Sequence, residues 1–157
     1  MFNILKMLFS NQDDKDKDND AYITVQENEM DSELRNKIFK LENSAKGLTQ
    51  ELQRKYAPQF KNSGKHNLKV WVHRDIDGDE IELLTLEGFF TKEYRSVVAI
   101  NFDREDSDDD FVTYIQLWYY FGGYRKGEGT LYNSAKRNLK ADIEEILNEI
   151  LTDKNGI

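Results

Sequence analysis

The stretch NLKVWVHRDIDGDEIELLTLEGFF, residues 67–90, constrains the fold more than any other part of the chain. Asp-Gly between two apolar runs is a hairpin signal, because a type I′ turn needs positive φ at both central residues. Centring the turn on Asp77 and Gly78 sets Ile76 opposite Asp79, Val72 opposite Leu83 and Trp71 opposite Leu84. Leu68, Val70, Val72, Ile81 and Leu83 then share one face. Trp71, Leu84 and Leu86 share the other, where His73 faces Glu82. A one-residue slip mixes the two sets, so the pattern itself specifies the register.

Two more strands follow, RSVVAINF at 95–102 and FVTYIQLWYYFG at 111–122. In the second, strict alternation puts Phe111, Ile115, Leu117 and Phe121 on one face and Val112, Tyr114, Trp118 and Tyr120 on the other. A strand apolar on both faces belongs in the middle of a covered sheet. If every covering element lies on one side, Trp71, Tyr114, Trp118 and Tyr120 form an aromatic patch on the other, and such a patch is a binding surface.

Helices bracket these strands. Leu34, Ile38, Leu41, Ala45, Leu48 and Leu52 recur at steps of four and three, which predicts a helix over 31–56 capped by Asp31 or Ser32. Gly47 weakens its interior by about 1 kcal/mol relative to alanine. Pro58, the single proline, is expected to end it by removing a donor and crowding the preceding turn. A loop, SGKHN, then carries His66. After the strands, GGYRKGEG reads as a glycine-rich turn. A last helix starts at Asn133 or Ser134 and reaches Thr152, with Leu139, Ile143, Ile146, Leu147, Ile150 and Leu151 on one face. Asn155-Gly156 supplies its stop. AYITVQ at 21–26 alternates and reads as a possible short strand.

The expected fold is therefore α+β: an antiparallel four-stranded, possibly five-stranded, meander flanked by an N-terminal and a C-terminal amphipathic helix. Residues 1–30 form an apolar segment, an acidic flexible linker and the possible strand; residues 31–157 form a single domain. A chain of 157 residues is long enough to bury one real core. With no cysteine it has no disulfide, thiolate nucleophile or Cys-ligated metal, which fits a cytoplasmic setting. No apolar run reaches the ~20 residues of a membrane span. MFNILKMLF at 1–9 lacks the basic start and small-residue cleavage site of a signal peptide. Phe2, Leu5 and Phe9 recur at helical spacing, so the segment either packs on the domain or contacts a membrane surface or partner.

Charge is segregated. Residues 35–74 carry ten bases and two acids, and residues 75–110 carry thirteen acids and three bases. Six carboxylates fall within 103–110: Asp103, Glu105, Asp106, Asp108, Asp109 and Asp110. Carboxylates adjacent in sequence are no preformed metal cage, because gathering them costs like-charge repulsion. They suit a solvated hairpin tip or an electrostatic lure for a basic partner. An EF-hand centred on Gly78 fails, since His73 and Leu84 stand where the first and last ligands belong. Gly122 and Gly127 have phosphate-loop spacing, but Glu128 holds the lysine position and repels phosphate. His66 and His73 lack zinc-site spacing.

No catalytic constellation is visible, and no metal or cofactor is implied. The expectation is a non-enzymatic, acidic binding protein, similar in size and charge to immunity proteins and secretion chaperones. It docks a partner protein with a basic surface through the acidic hairpin and the aromatic sheet face. The alternative is nucleic-acid or anionic-surface binding by Lys37, Lys40, Lys46, Arg54 and Lys55 on the basic first helix.

Overall fold

The computed structural model describes residues 21–81, 86–104, 110–122 and 127–152, with positions 86, 87, 110 and 111 described by backbone alone. In chain order the elements are β1 (Tyr22–Gln26), α1 (Ser32–Asn62), β2 (Lys65–Ile76), β3 (Asp79–Glu80), β4 (Tyr94–Arg104), β5 (Asp110–Phe121), β6 (Glu128–Tyr132) and α2 (Leu139–Thr152). Short 3₁₀ segments lie at Glu27–Glu29 and Leu86–Phe90. The strands form one antiparallel sheet of six, in the order β1-β6-β5-β4-β2-β3.

The general class is as expected, and the strand count and connectivity differ. Asp77 and Gly78 both take positive φ, 52° and 89°, and Ile76 pairs with Asp79 as the turn chemistry requires. The second arm stops at Glu80, so β3 is a short edge strand and β2 pairs along its length with β4. Val72 faces Val98 and Trp71 faces Ala99 across that ladder, on the opposite edge of β2 from β3. His73 faces Val97 on the β4 side of β2, its expected partner Glu82 lies outside the described residues, and His66 belongs to β2 rather than to a loop. Between β3 and β4 the chain is held by Phe89 and Phe90. Phe89 is buried and its carbonyl accepts a hydrogen bond from Trp118 Nε1 (2.7 Å), while the Phe90 ring packs on the Trp118 ring. β4, with Val97, Val98 and Ile100 buried on both faces, takes the central place between β2 and β5, and β3 pairs with the other edge of β2. Leu83 and Leu84 lie outside the described residues.

α1 begins where expected, with the Asp31 carboxylate accepting from Leu34 N (2.9 Å). It continues past Pro58 to Asn62. Tyr56 and Phe60 extend the buried stripe by two further steps of four, and Phe60 packs edge-on against Phe102 (5.6 Å between ring centroids). Arg54, whose carbonyl loses its donor at Pro58, lies with Pro58 on the exposed side, so the break in the ladder faces water. Gly64, with φ of 80°, ends the helix by donating to the Lys61 carbonyl. α2 starts at Leu139, later than expected, because Asn138 is its cap: Asn138 Oδ1 accepts from Ala141 N (2.9 Å). Ion pairs Lys140–Glu51 and Lys55–Glu144, both 2.8 Å, advance together along the two helices, so α1 and α2 run parallel.

The glycine-rich stretch is partly strand. β6 pairs with β5 on one side and β1 on the other. Gly129 lies under the Trp118 ring and Gly127 under the Tyr120 ring, where a Cβ would meet ring carbons at 2.1 and 2.2 Å. These glycines serve close approach of aromatic rings to backbone. With β1 in the sheet and Val25 in the core, the folded unit extends N-terminal of residue 31.

Candidate functional site

One irregularity decides which side chains reach the surface. In the β4–β5 ladder Val97 faces Gln116 and Ser96 faces Trp118, so Leu117 is an extra residue, a β-bulge. Beyond it the alternation of β5 inverts. Trp118 (0% exposed) and Tyr120 turn into the helix-covered core, and Tyr119 and Phe121 take their places outside. The expected patch of Trp71, Tyr114, Trp118 and Tyr120 is therefore corrected: the latter two do not belong to it.

The open face runs as rows across β2, β4 and β5. Nearest the β4–β5 hairpin, Asp103 faces Asp110, flanked by His66. Asn67, held at φ of 57° by the irregularity in β2, donates to Asp103 Oδ2 (2.7 Å). Next come Lys69, Asn101 and Val112, then Trp71, Ala99 and Tyr114. The small Ala99 leaves the two rings on either side of a buried methyl. Val112 and Phe121 are exposed at 56% and 48%, unusual for large apolar side chains in one strand. Cations cap the rings: Lys69 Nζ sits 4.5 Å from the Trp71 centroid and the Arg95 guanidinium 5.2 Å from that of Tyr114. Asp75 anchors the far end, with Oδ2 at 2.9 Å from Arg95 Nη2 and 3.2 Å from His73 Nε2. The Asp75 carboxylate, acting against burial, holds the Arg95 guanidinium above its ordinary range. Glu105, Asp106, Asp108 and Asp109 lie outside the described residues. Asp103 and the backbone of Asp110 place the root of the carboxylate run beside Val112.

On the other side, α1 covers the core. Glu42 (1% exposed) accepts from Arg74 Nε (2.8 Å) and from the Tyr94 hydroxyl (2.7 Å), which ties the helix to β2 and β4. Burial and this carboxylate both push the Tyr94 hydroxyl far up. Gln53 Oε1 accepts from Val70 N (2.8 Å), so the helix also satisfies part of the β2 edge that the short β3 leaves open. Between α1, β1, the end of β6 and the start of α2 lies a trough of about 1030 Å³, open to solvent. Its lining combines apolar Ile23, Leu34, Leu41, Leu131 and Leu139 with charged side chains of both signs, among them Lys37, Lys40 and Glu33.

The five candidate cations do not act as one surface. Lys37 and Lys40 are exposed at the trough and have no ion-pair partner among the described residues. Lys55 is engaged by Glu144. Lys46, nine residues beyond Lys37, lies about half a turn around α1 from it, and Arg54 is exposed outside the trough lining. Among the described residues no three His, Asp or Glu side chains converge as a metal site. The phosphate-loop spacing leads nowhere, since Gly122 N donates to Glu93 Oε2 (2.7 Å) and Gly127 packs on Tyr120. Two features of the surface escaped sequence reasoning: the exchange of Tyr119 and Phe121 onto the open face, and the trough. Only the spacing of Gly127 and Gly129, matching that of Trp118 and Tyr120, could have signalled the first.

Compared with known proteins, the chain matches no family model, no curated protein and no solved structure.

Proposed function

We propose that the protein is a non-enzymatic binding protein that docks a basic partner protein on its open sheet face. The observation that carries this is adjacency. The carboxylate run begins at Asp103, one row from exposed Val112 and two rows from Trp71 and Tyr114. Carboxylates at the rim steer encounter, and apolar and aromatic side chains at the centre supply holding energy once water is excluded. A cationic partner also competes for the ring faces that Lys69 and Arg95 now cover. No helix among the described residues is long and apolar enough to cross a membrane, and the proposed setting is cytoplasmic.

The test uses a partner recovered from the host and then purified. Neutralising Asp103, Asp106, Asp108, Asp109 and Asp110 slows association and flattens its salt dependence. Trp71→Ala with Tyr114→Ala speeds dissociation. Association kinetics unchanged by the first set sink the proposal.

A second reading, anionic-ligand binding by α1, rests on Lys37 and Lys40, which have no ion-pair partner among the described residues. It expects retardation of nucleic acid at low salt that is lost on Lys37→Glu, Lys40→Glu and Lys46→Glu. No retardation of any nucleic acid removes it in that form.

A further inference from the structure

We infer that the outer edge of β1 takes up an extended segment of a partner protein as an added antiparallel strand, and that this segment is basic at its N-terminal end. The first argument is the contrast between the two edges of the sheet, β1 and β3. The described part of β3 is two residues, Asp79 and Glu80, both charged and exposed. Short length and charge are how an edge is ordinarily blunted against pairing. β1 runs for five residues, Tyr22–Gln26, with no charge and no proline. Ile23, Thr24 and Val25 are all β-branched, so the strand carries the chemistry of a paired one.

The second argument is where its backbone groups point. The Ala21 carbonyl accepts from Asn133 N (3.0 Å), one step before the Tyr22–Tyr132 pair. Hydrogen-bonded and non-hydrogen-bonded pairs alternate in an antiparallel ladder. Ile23 and Val25 therefore bond to β6, while the N–H and C=O of Thr24 and Gln26 turn outward. The outward Gln26 N–H is met by Glu29 Oε1 (2.8 Å). Thr24 is exposed and offers both its groups to an incoming strand. Ile23, 42% exposed, is one of four large apolar side chains left exposed among the described residues, and a side chain of an added strand would lie beside it.

The third argument is charge, and it selects the occupant. Glu27, Glu29 and Glu128 stand exposed at the Gln26 end of the strand. The contacts they make there are with neutral groups: the Tyr120 hydroxyl for Glu27, Gln26 N for Glu29 and Gln26 Nε2 for Glu128. An antiparallel segment brings its N-terminal end to this place, and lysine or arginine there complements the carboxylates. A second copy of the chain does not. Pairing centred on Thr24 would set Tyr22 of the copy opposite Gln26 and Ala21 level with Glu27, which supplies no cation. The edge of β1 is separate from the open face, so the inference does not rest on docking there.

The probe is a synthetic peptide, acetyl-KKTITVT-amide, whose lysines fall beside Glu27 and whose isoleucine and valine fall beside Val25 and Ile23. Added to the full chain, it is expected to protect the Thr24 amide from deuterium exchange and to shift the Ile23 methyl resonances. Glutamate in place of its lysines should weaken binding about tenfold. N-methylation of the peptide threonine opposite Thr24 should abolish it. In the protein, Thr24→Pro removes an outward donor that β6 does not use, and should abolish binding with the melting temperature little changed. Glu27→Gln, Glu29→Gln and Glu128→Gln together should erase the preference for lysine over glutamate. Trp71→Ala with Tyr114→Ala should leave the affinity for the peptide unchanged, which separates this edge from the open face. Equal affinity for the lysine and glutamate peptides overturns the inference, as does full binding of the N-methylated peptide. A Thr24 amide already protected in the free monomer means that the chain covers its own edge, and overturns it too. So does a concentration-dependent dimer lost in Thr24→Pro, which assigns the edge to a second copy.

Discussion

Trp118 and Phe121 stand three residues apart on β5 and have opposite surroundings. Trp118 is sealed between Phe90, the Phe89 carbonyl and the Gly129 backbone. Phe121 projects beside Tyr119, half in water. Hydrophobicity does not separate them. The bulge at Leu117 does, by reversing which residues point inward. One extra residue thus divides the aromatic complement of the strand between holding the fold and facing outward.

The sharpest test of that division is truncation on each side. Trp118→Ala should cost about 3–5 kcal/mol, since it removes a buried aromatic and leaves the Phe89 carbonyl unpaired. Phe121→Ala should stay within about 0.5 kcal/mol. Urea denaturation of both variants decides it, and comparable losses break the comparison. The charges sharpen it at slightly smaller scale. Glu42→Ala strands Arg74 and Tyr94 against the core and should cost about 3 kcal/mol. Asp75→Ala on the open face leaves Arg95, whose side chain is 31% exposed, able to rehydrate, and should cost about 1 kcal/mol.

The next effect concerns backbone. A methyl at Gly129 would meet the Trp118 ring at 2.1 Å. Gly129→Ala should therefore cost about 1–3 kcal/mol by overpacking, and a smaller ring from Trp118→Phe should recover part of it. Additive losses in the double variant would mean that the ring does not depend on this glycine.

These cases also explain what the sequence made legible. The Asp77-Gly78 turn, the apolar stripe of α1 and the short β1 were readable because each is local: a turn type, a helical period, an alternation. The place of the second hairpin arm was misread: a meander sets it between β2 and β4, whereas β3 lies at the sheet edge and β2 pairs directly with β4, an order that no apolar pattern within the hairpin encodes. The contacts of Phe89 and Phe90 with Trp118, distant in sequence, were equally invisible. Pro58 misled for a related reason. Its local cost is real, yet Tyr56 and Phe60 gain enough burial to carry the helix past it. At the candidate site, Trp71 and Tyr114 were placed correctly by alternation. Trp118 and Tyr120 were not, because a bulge leaves no mark in a two-residue period. The carboxylate run was legible as composition; its position beside Val112 needed the β4–β5 register.

A pH scan compares the same two faces through adjacent tyrosines. Tyr119, outside, is pushed up to about 12 by burial and then by its hydrogen bond to Glu93. Tyr120, inside, is pushed up to about 12 by burial and then by Glu27. Both hydroxyls have folded values above the unfolded value near 10, so the unfolded chain releases these protons first. The stabilisation is complete below about pH 10 and declines as pH rises toward about 12. Denaturation midpoints should fall across that window, and Tyr119→Phe with Tyr120→Phe should remove part of the fall, the raised hydroxyls of Tyr22, Tyr94 and Tyr132 keeping the rest. A flat profile in the intact protein contradicts the sign.

The smallest expected effect is at Gly47, and it has the opposite sign from Gly129. Gly47 lies in the interior of α1 on its exposed side, and a methyl group added there would have no neighbouring atom within 4 Å. Nothing there requires a missing side chain, whereas Gly129 accommodates a ring. Gly47→Ala should stabilise the protein by about 0.5–1 kcal/mol, by reducing the freedom of the unfolded chain and favouring the helix. A measured loss would mean that this turn of α1 is covered by part of the chain outside the described residues, which would enlarge the buried surface of the helix beyond the stripe from Leu34 to Phe60.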